Sequence, residues 1–125
     1  MKQIFSTENA PKAIGPYSQA TQAGNMLFIS GQLPIDPSSG KIDSGDIAGQ
    51  ARQSLQNLKA IVEDSGLGVQ NIVKSTIYMT DINNFSVVNQ IYSEFFPKDY
   101  PARVAVEVSH LPKDALVEIE AIACR

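Results

Sequence analysis

Several residue types that carry common enzyme chemistries are scarce in this chain of 125 residues. Its single cysteine, Cys124, allows no internal disulfide, which is typical of a cytosolic protein. Its single histidine, His110, lies in a Ser-His-Leu-Pro-Lys-Asp turn with no second histidine and no nearby cysteine. That pattern excludes a two-histidine ribonuclease mechanism and argues against a structural zinc site. A Ser-His-Asp triad is not indicated either, because the sequence contains no nucleophile-elbow motif. We interpret His110 and Cys124 as an exposed turn residue and an unreactive terminal thiol.

Long charged or apolar runs are also missing. Ten Lys and Arg stand against thirteen Asp and Glu, for a net charge of −3, and no two basic residues are adjacent. A nucleic-acid module normally needs a basic surface, so this balance argues against one. No segment has the length of a membrane span, and the first residues have no signal-peptide core, so no membrane association is expected. The glycines form neither a phosphate loop nor a dinucleotide fingerprint, so nucleotide cofactors are not supported.

What remains is an ordinary globular composition, 43% hydrophobic and 18% charged, which suits one domain over residues 1–125. Hydrophobic periodicity and turn residues predict the order β-β-β-α-β-α-β-β. The predicted strands are residues 2–5, 17–22, 26–30, 72–80, 101–108 and 117–123. The predicted helices run from Asp46 to Gly66 and from Asn84 to Phe96, where Pro97 follows. The order predicts an α/β (α+β) fold, a mixed six-stranded sheet with two helices on one face.

Two helices cover only one face of such a sheet. The other face would expose Val and Ile side chains, and a contiguous apolar surface usually marks an interaction site. We therefore expect a homo-oligomer in which sheets pack together.

The last two predicted strands present an arginine and carboxylates. Val104, Val106 and Val108 share one face of the first strand, so Arg103 points to the other, as Ala105 does. Glu118 and Glu120 share a face of the second strand. We expect the two strands to be neighbours joined by a turn, so that the arginine and the carboxylates project side by side. Arg103 could then bind a planar anion such as a carboxylate, and a glutamate could position or deprotonate a water. A surface salt bridge would explain the same pattern.

Two short motifs place a hydroxyl residue beside a glycine where a loop meets a strand. They are Ile-Gly-Pro-Tyr at residues 14–17 and Ile-Ser-Gly-Gln at residues 29–32. Gly31 would let a ligand approach the backbone, and its N–H could bind a carboxylate. Simple turn chemistry explains each motif equally well.

Taken in order, longer motifs resemble the Rid family (reactive intermediate deaminases, also called the YjgF family) and, within it, the RidA branch. The resemblance is nearly end to end and is carried by Asn-Ala-Pro-Lys-Ala-Ile-Gly-Pro-Tyr-Ser-Gln (9–19), Ile-Ser-Gly-Gln-Leu-Pro (29–34), Gln-Ala-Arg-Gln-Ser-Leu-Gln-Asn (50–57), Pro-Ala-Arg (101–103), Leu-Pro-Lys-Asp (111–114) and Val-Glu-Ile-Glu-Ala-Ile-Ala (117–123).

The resemblance implies a chorismate-mutase-like fold and a homotrimer whose sheets line a barrel-like core, with sites in the clefts between subunits. It implies hydrolysis of 2-imino acids and their enamine tautomers, such as 2-iminobutanoate and 2-iminopropanoate, to 2-oxo acids and ammonia. These reactive species come from pyridoxal-phosphate enzymes that dehydrate serine and threonine. The RidA branch itself needs no metal and no cofactor.

Residue roles follow from the same resemblance. Arg103 would clamp the substrate carboxylate in a bidentate pair, and the Gly31 N–H would add a hydrogen bond. Glu118 would hold the attacking water, and the backbone carbonyl of residue 105 would contact the imine nitrogen or that water. Three further positions would line the cleft: Tyr17, Ser30 and Asn89. Many RidA relatives have cysteine where this chain has Ala105, so a role for that thiol is absent here.

Two other functions stay open at this point. The chain could be a regulatory module that binds small carboxylate metabolites in the same cleft, in which case Glu118 would be dispensable. It could also be an RNA-cleaving translation inhibitor, a description sometimes given to this family. The net charge of −3, the lone His110 and the absence of tryptophan count against that activity.

Overall fold

The computed structural model describes all residues 1–125 and contains one six-stranded sheet with two α-helices. The strands, in chain order, are β1 (Gln3–Phe5), β2 (Ala20–Ala23), β3 (Met26–Gln32), β4 (Ile72–Met79), β5 (Ala102–Glu107) and β6 (Val117–Cys124). The helices are α1 (Ile47–Asp64) and α2 (Phe85–Phe95). This order confirms the predicted β-β-β-α-β-α-β-β arrangement. No helix is both long and apolar enough to cross a bilayer.

Local signals in the sequence explain where α1 begins and ends. Asp46 caps the helix, since its side chain accepts a hydrogen bond from the N–H of Gly49. At the other end Gly66 has a φ of +90°, a left-handed conformation that a glycine adopts without a Cβ penalty. The loop between β2 and β3 has the same kind of residue, because Gly24 has a φ of +58° in the predicted hairpin.

The sheet has the strand order β1-β2-β3-β6-β4-β5. All neighbouring pairs are antiparallel except β4 and β5, which run parallel. The expectation that residues 101–108 and 117–123 form neighbouring strands is therefore wrong. Strand β4 lies between them, because α2 crosses over the sheet and returns the chain as a parallel strand on the outer side of β4.

Both helices pack on one face of the sheet, as predicted. The core between them includes Leu55, Leu58 and Val62 of α1, and Val88 of α2. Their partners in the sheet are alternate residues of β4 and β6: Ile77, Met79, Val117, Ile119 and Ala121. Burial of this apolar surface is the main stabilising term of the fold.

The other face of the sheet has no covering element. Val104, Val106 and Phe28 are 44%, 37% and 43% exposed there, which agrees with the predicted open face. The face is more mixed than the predicted Val and Ile surface, because Lys74 and Glu120 also stand on it. Glu118 also projects from this open face, opposite Tyr78 in the strand register.

Candidate functional site

Arg103 lies on β5 at the edge of the sheet, on the face that the helices cover. Its guanidinium carbon stands 5.2 Å from the ring centroid of Phe85 and 4.9 Å from that of Tyr92, both on α2. Its Nη1 donates a hydrogen bond to Oδ1 of Asn89 at 2.7 Å. These four residues are called the arginine cluster below. Aromatic faces and an amide oxygen hold the cation in one orientation while its remaining N–H groups stay free to bind an anion.

The arginine cluster rests on a buried hydrogen bond. The hydroxyls of Tyr92 and Ser75 lie 2.6 Å apart, and Ser75 sits directly opposite Arg103 in the register of β4 and β5. Burial raises the pKa of Tyr92, although Ser75 and the charge of Arg103 act in the opposite direction. Tyr92 is therefore a neutral phenol whose ring position is fixed from below by Ser75.

Beside the cluster is a concave region of about 460 Å³, lined by Asn89, Tyr92, Ser93, Tyr100, Pro101 and Arg103. Ala105, two residues further along β5, is half-buried and packs against the core. The structure thus brings three of the predicted site residues, Arg103, Asn89 and Ala105, to one edge of the domain.

The other predicted site residues line a second concave region of about 650 Å³, called the glutamate cleft below. Its walls include Tyr17, Ser30, Gly31 and Glu118, together with Glu120 and the lysines Lys12 and Lys113. Tyr17 is 54% exposed on the loop before β2. Sequence reasoning had named the first four of these residues, but neither lysine.

Gly31 and Glu118 are in direct contact across β3 and β6. A Cβ added to Gly31 would lie 2.9 Å from Cδ of Glu118 and closer still to Oε1, so any larger residue would displace the carboxylate. The pairing of β3 with β6 shifts register between Ile29 and Gln32, an irregularity of the kind that often re-aims side chains at functional sites. Gly31 thus makes room for Glu118, a role beyond the predicted backbone contact.

Ser30 fixes the loop that carries Tyr17. Its Oγ donates to the carbonyl of Ser18 at 2.6 Å, and its N–H donates to the carbonyl of Gln19 at 2.9 Å. Gln19 is itself buried and donates to the carbonyl of Pro11 at 2.7 Å. The hydroxyl of Ser30 is consequently engaged within the chain, so its part in the cleft is to hold the loop in place.

Glu118 is a half-buried carboxylate without a partner. No side-chain or backbone donor bonds to it, and the one salt bridge in the structure joins Arg52 to Glu94 on the surface. Burial raises the pKa of Glu118, and the neighbouring charge of Glu120 raises it further. A carboxyl group of this kind is suited to exchanging protons with a substrate or a water.

The two clusters lie on opposite faces of the sheet. Arg103 is opposite Ser75 on the helix-covered face, whereas Glu118 is opposite Tyr78 on the open face. The idea that an arginine and a glutamate project together from neighbouring strands is therefore wrong for a single chain. Within a single chain, a group suited to binding an anion and a group suited to exchanging protons therefore lie apart.

Neither scarce residue joins these clusters. His110 is exposed in the turn after β5, and Cys124 is half-buried at the end of β6. No group of three or more His, Cys, Asp or Glu side chains is placed to hold a metal ion.

Comparisons with known proteins identify the family to which this chain belongs. The family model described as Endoribonuclease L-PSP matches residues 7–125. A RutC family protein from Pyrococcus horikoshii is 58% identical over 98% of this chain and 98% of its own length. The 2-iminobutanoate/2-iminopropanoate deaminase of Escherichia coli is 52% identical over 100% of this chain and 99% of its own length.

Solved structures show the same fold. TdcF from Escherichia coli, determined with bound serine, has a TM-score of 0.94 and 48% identity, with 98% of each chain covered. RidA from an Antarctic Psychrobacter has a TM-score of 0.95 and 41% identity, over 98% of this chain and 99% of the other. The fold is that of a small α+β domain with a six-stranded sheet and two helices. The chain belongs to the Rid (YjgF) family, which confirms the resemblance found in its motifs.

Proposed function

We propose that this chain hydrolyses 2-imino acids and their enamine tautomers, such as 2-iminobutanoate and 2-iminopropanoate, to 2-oxo acids and ammonia. The observation that carries the proposal is its 52% identity, over the full length of both chains, with the Escherichia coli deaminase that has this activity in its name. An ordered arginine and an unpartnered glutamate supply the two functions that the reaction needs.

We infer that the active site forms between subunits of a homotrimer. A single chain holds Arg103 and Glu118 on opposite faces of its sheet, so one copy cannot apply both to one small substrate. If the open faces of three copies pack around a central barrel-like core, the arginine cluster of one subunit reaches the glutamate cleft of the next. The exposed Phe28, Val104 and Val106 would then be buried. Light scattering should give three times the 13.5 kDa chain mass.

In this site Arg103 binds the substrate carboxylate through a bidentate pair, and the Gly31 N–H donates a further hydrogen bond. Glu118 of the neighbouring subunit orients a water toward the imine carbon and accepts its proton. The backbone carbonyl of Ala105 contacts the imine nitrogen or the water, so no side chain is needed at that position. Tyr17 and Asn89 line the cleft, and Ser30 holds its loop.

The reaction needs little machinery, because an iminium carbon is already electrophilic. Holding the carboxylate and one water in line supplies proximity, which is worth several kcal/mol. No step calls for a metal or an organic cofactor. The substrates are products of pyridoxal-phosphate enzymes that dehydrate serine and threonine, which makes the cytoplasm the expected location.

Binding without catalysis is the alternative that one relative favours, since TdcF holds serine in its solved structure. A module that only senses carboxylates would keep the arginine cluster and have no use for Glu118. The Glu118→Gln variant separates the two functions. It should lose turnover and retain ligand binding if the chain is an enzyme, because the amide keeps the shape but not the proton acceptor.

RNA cleavage is the second alternative, and the description of the matching family carries it. A net charge of −3 and an exposed lone histidine count against that activity. If the chain did bind RNA, the affinity should fall steeply as salt is added.

The deciding experiment generates 2-iminobutanoate and 2-iminopropanoate in situ with a threonine dehydratase and lets semicarbazide compete for them. Wild type should suppress semicarbazone formation, and Arg103→Ala should lose at least roughly 10-fold in kcat/KM, because the bonds it removes are to a charged group. Arg52→Ala is the matched control, since Arg52 pairs only with Glu94 on the surface. Suppression that is equal in wild type and Arg103→Ala would refute the assignment of Arg103, and no suppression by wild type would refute the deaminase activity.

A further inference from the structure

The glutamate cleft contains a second carboxylate to which the proposed reaction gives no role. Glu120 follows Glu118 by two residues on β6, so both side chains stand on the open face and line the same cleft. Tyr78 of β4 sits opposite Glu118 in the strand register, and its hydroxyl donates to Oε1 of Glu120 at 3.0 Å. Tyr78 thus holds Glu120 by a hydrogen bond and makes none with Glu118.

The groups that face Glu118 come from four parts of the chain. The loop before β2 contributes Lys12 and Tyr17, and the turn before β6 contributes Lys113. Strand β4 contributes Tyr78, and β6 contributes Glu120. Neither lysine forms a salt bridge with either carboxylate. In the proposed trimer, Arg103 of the neighbouring subunit also approaches, with the substrate carboxylate between it and Glu118.

We propose that Glu120, held by Tyr78, is a positioning residue that acts through Glu118, so that Glu118 can both take a proton from water and return it to the departing amine. This inference rests on the proposed function, since it assigns a task within imine hydrolysis. Glu120 itself touches neither substrate nor water. Its contribution is a fixed negative charge beside a carboxyl group that must change its protonation state.

The proton balance shows why such a neighbour matters. Water adds to the iminium carbon, the π electrons move to nitrogen, and Glu118 takes the released proton. Glu118 then returns that proton to nitrogen, the C–N bond breaks, and the oxygen lone pair forms the new carbonyl. The hydroxyl proton leaves with ammonia, so the products are one 2-oxo acid and one ammonium ion.

A carboxylate that serves in both directions works best when its pKa lies close to the working pH. Burial and the charge of Glu120 both raise the pKa of Glu118 toward that range. The pKa of Tyr78 is raised in turn, by burial and then by its hydrogen bond to Glu120, so the phenol stays a donor. Tyr78 thus acts on Glu118 only indirectly, by holding Glu120 through the hydrogen bond between them.

The test follows the titration of Glu118 directly, by NMR of protein labelled at the glutamate side-chain carboxyl carbons. Loss of one resonance in Glu118→Gln identifies the signal. Glu120→Gln keeps an oxygen acceptor for Tyr78 and should lower the midpoint of Glu118 by roughly half to one pH unit. Tyr78→Phe should produce a smaller shift in the same direction, because Glu120 is then free to turn away. Glu63→Gln, at an exposed position of α1, should produce none.

Kinetics then connect the titration to the reaction. In Glu120→Gln, the acidic limb of the pH profile of kcat/KM for 2-iminobutanoate should shift to lower pH by the same amount. At pH values above this limb, KM should stay within about twofold of wild type. An unchanged midpoint or an unmoved limb in an active enzyme overturns this inference alone. Absence of hydrolysis by wild type overturns the proposed function and this role together.

Discussion

The two halves of the proposed site solve different physical problems. In the arginine cluster the cation is held in one orientation by its own chain, stacked on Phe85 and Tyr92 and bonded to Asn89. In the glutamate cleft Glu118 is half-buried and bonded to nothing. Recognition of a carboxylate needs a cation in a fixed place, whereas proton transfer needs a group whose two protonation states are close in free energy. The first half therefore holds its cation rigidly, whereas the second half keeps a partly buried carboxylate without a hydrogen-bond or salt-bridge partner.

The largest expected effect on the glutamate cleft comes from a substitution at Gly31. The Gly31→Ala variant places a methyl group where the Glu118 carboxylate now lies, so the side chain must rotate away. We expect kcat/KM for imine hydrolysis to fall by roughly 100-fold, the lower range for loss of a general acid–base group. Folding should change little, because the displaced atoms are the end of a flexible side chain. The measurement is the semicarbazide competition, together with binding of a 2-oxo acid by calorimetry.

Gly45→Ala is the matched control for that experiment. A Cβ added there meets no atom within 4 Å, and neither Gly45 nor Gly31 has a φ in the left-handed range. Wild-type turnover in Gly31→Ala would show that the reaction does not depend on where Glu118 stands.

The arginine half should respond differently to damage. Asn89→Ala removes the acceptor of Nη1 and leaves the aromatic stacking in place. We expect KM for the imino acid to rise by roughly 10-fold, the usual scale for a hydrogen bond to a charged group, and kcat to fall less. Gln90→Ala, at the next and equally exposed position of α2, controls for the change in helix propensity. A fall in kcat with no change in KM would instead place Asn89 at the reacting atoms.

The sequence predicted the strand that carries each half of the proposed site, but not how those strands are arranged in the sheet. Alternation along a strand shows which residues share a face, so Arg103 and Glu118 were each placed correctly on their own strands. Alternation does not show which strands are neighbours, and the parallel return through α2 inserted β4 between β5 and β6. Separation of the two residues onto opposite faces could not be seen without the register.

Supporting residues were missed where their role depends on tertiary contact. The rings of Phe85 and Tyr92 meet Arg103 only because α2 packs beside β5. The hydroxyl of Tyr78 meets Glu120 only because β4 and β6 are neighbours in the sheet. By contrast, the ends of α1 could be predicted closely, because capping by Asp46 and Gly66 is a local property of the chain.

The smallest effect concerns stability, and it has the opposite sign from the effects on activity. Burial, and then the charge of Glu120, raise the pKa of Glu118 above its ordinary value, so the folded chain holds that proton more tightly than the unfolded chain does. The stability that this group contributes is therefore lost as pH rises from the ordinary glutamate pKa through the higher pKa of the folded chain. Glu118→Gln carries no charge and escapes the loss. At pH 7 this variant should unfold at a higher denaturant concentration than wild type. Its free energy of unfolding should be greater by less than about 1 kcal/mol after solvent screening.

At pH 4 wild type and Glu118→Gln should unfold at the same denaturant concentration, since Glu118 is then mostly protonated in the folded and the unfolded chain. Urea titrations at equal protein concentration measure the difference, because subunit association makes stability depend on concentration. Glu63→Gln removes an exposed carboxylate and should match wild type at both pH values. If Glu118→Gln proved less stable than wild type at pH 7, the carboxylate would have a stabilising partner in the assembled protein. The contrast between an arginine held by neighbouring side chains and a glutamate without a partner would then hold only for the isolated chain.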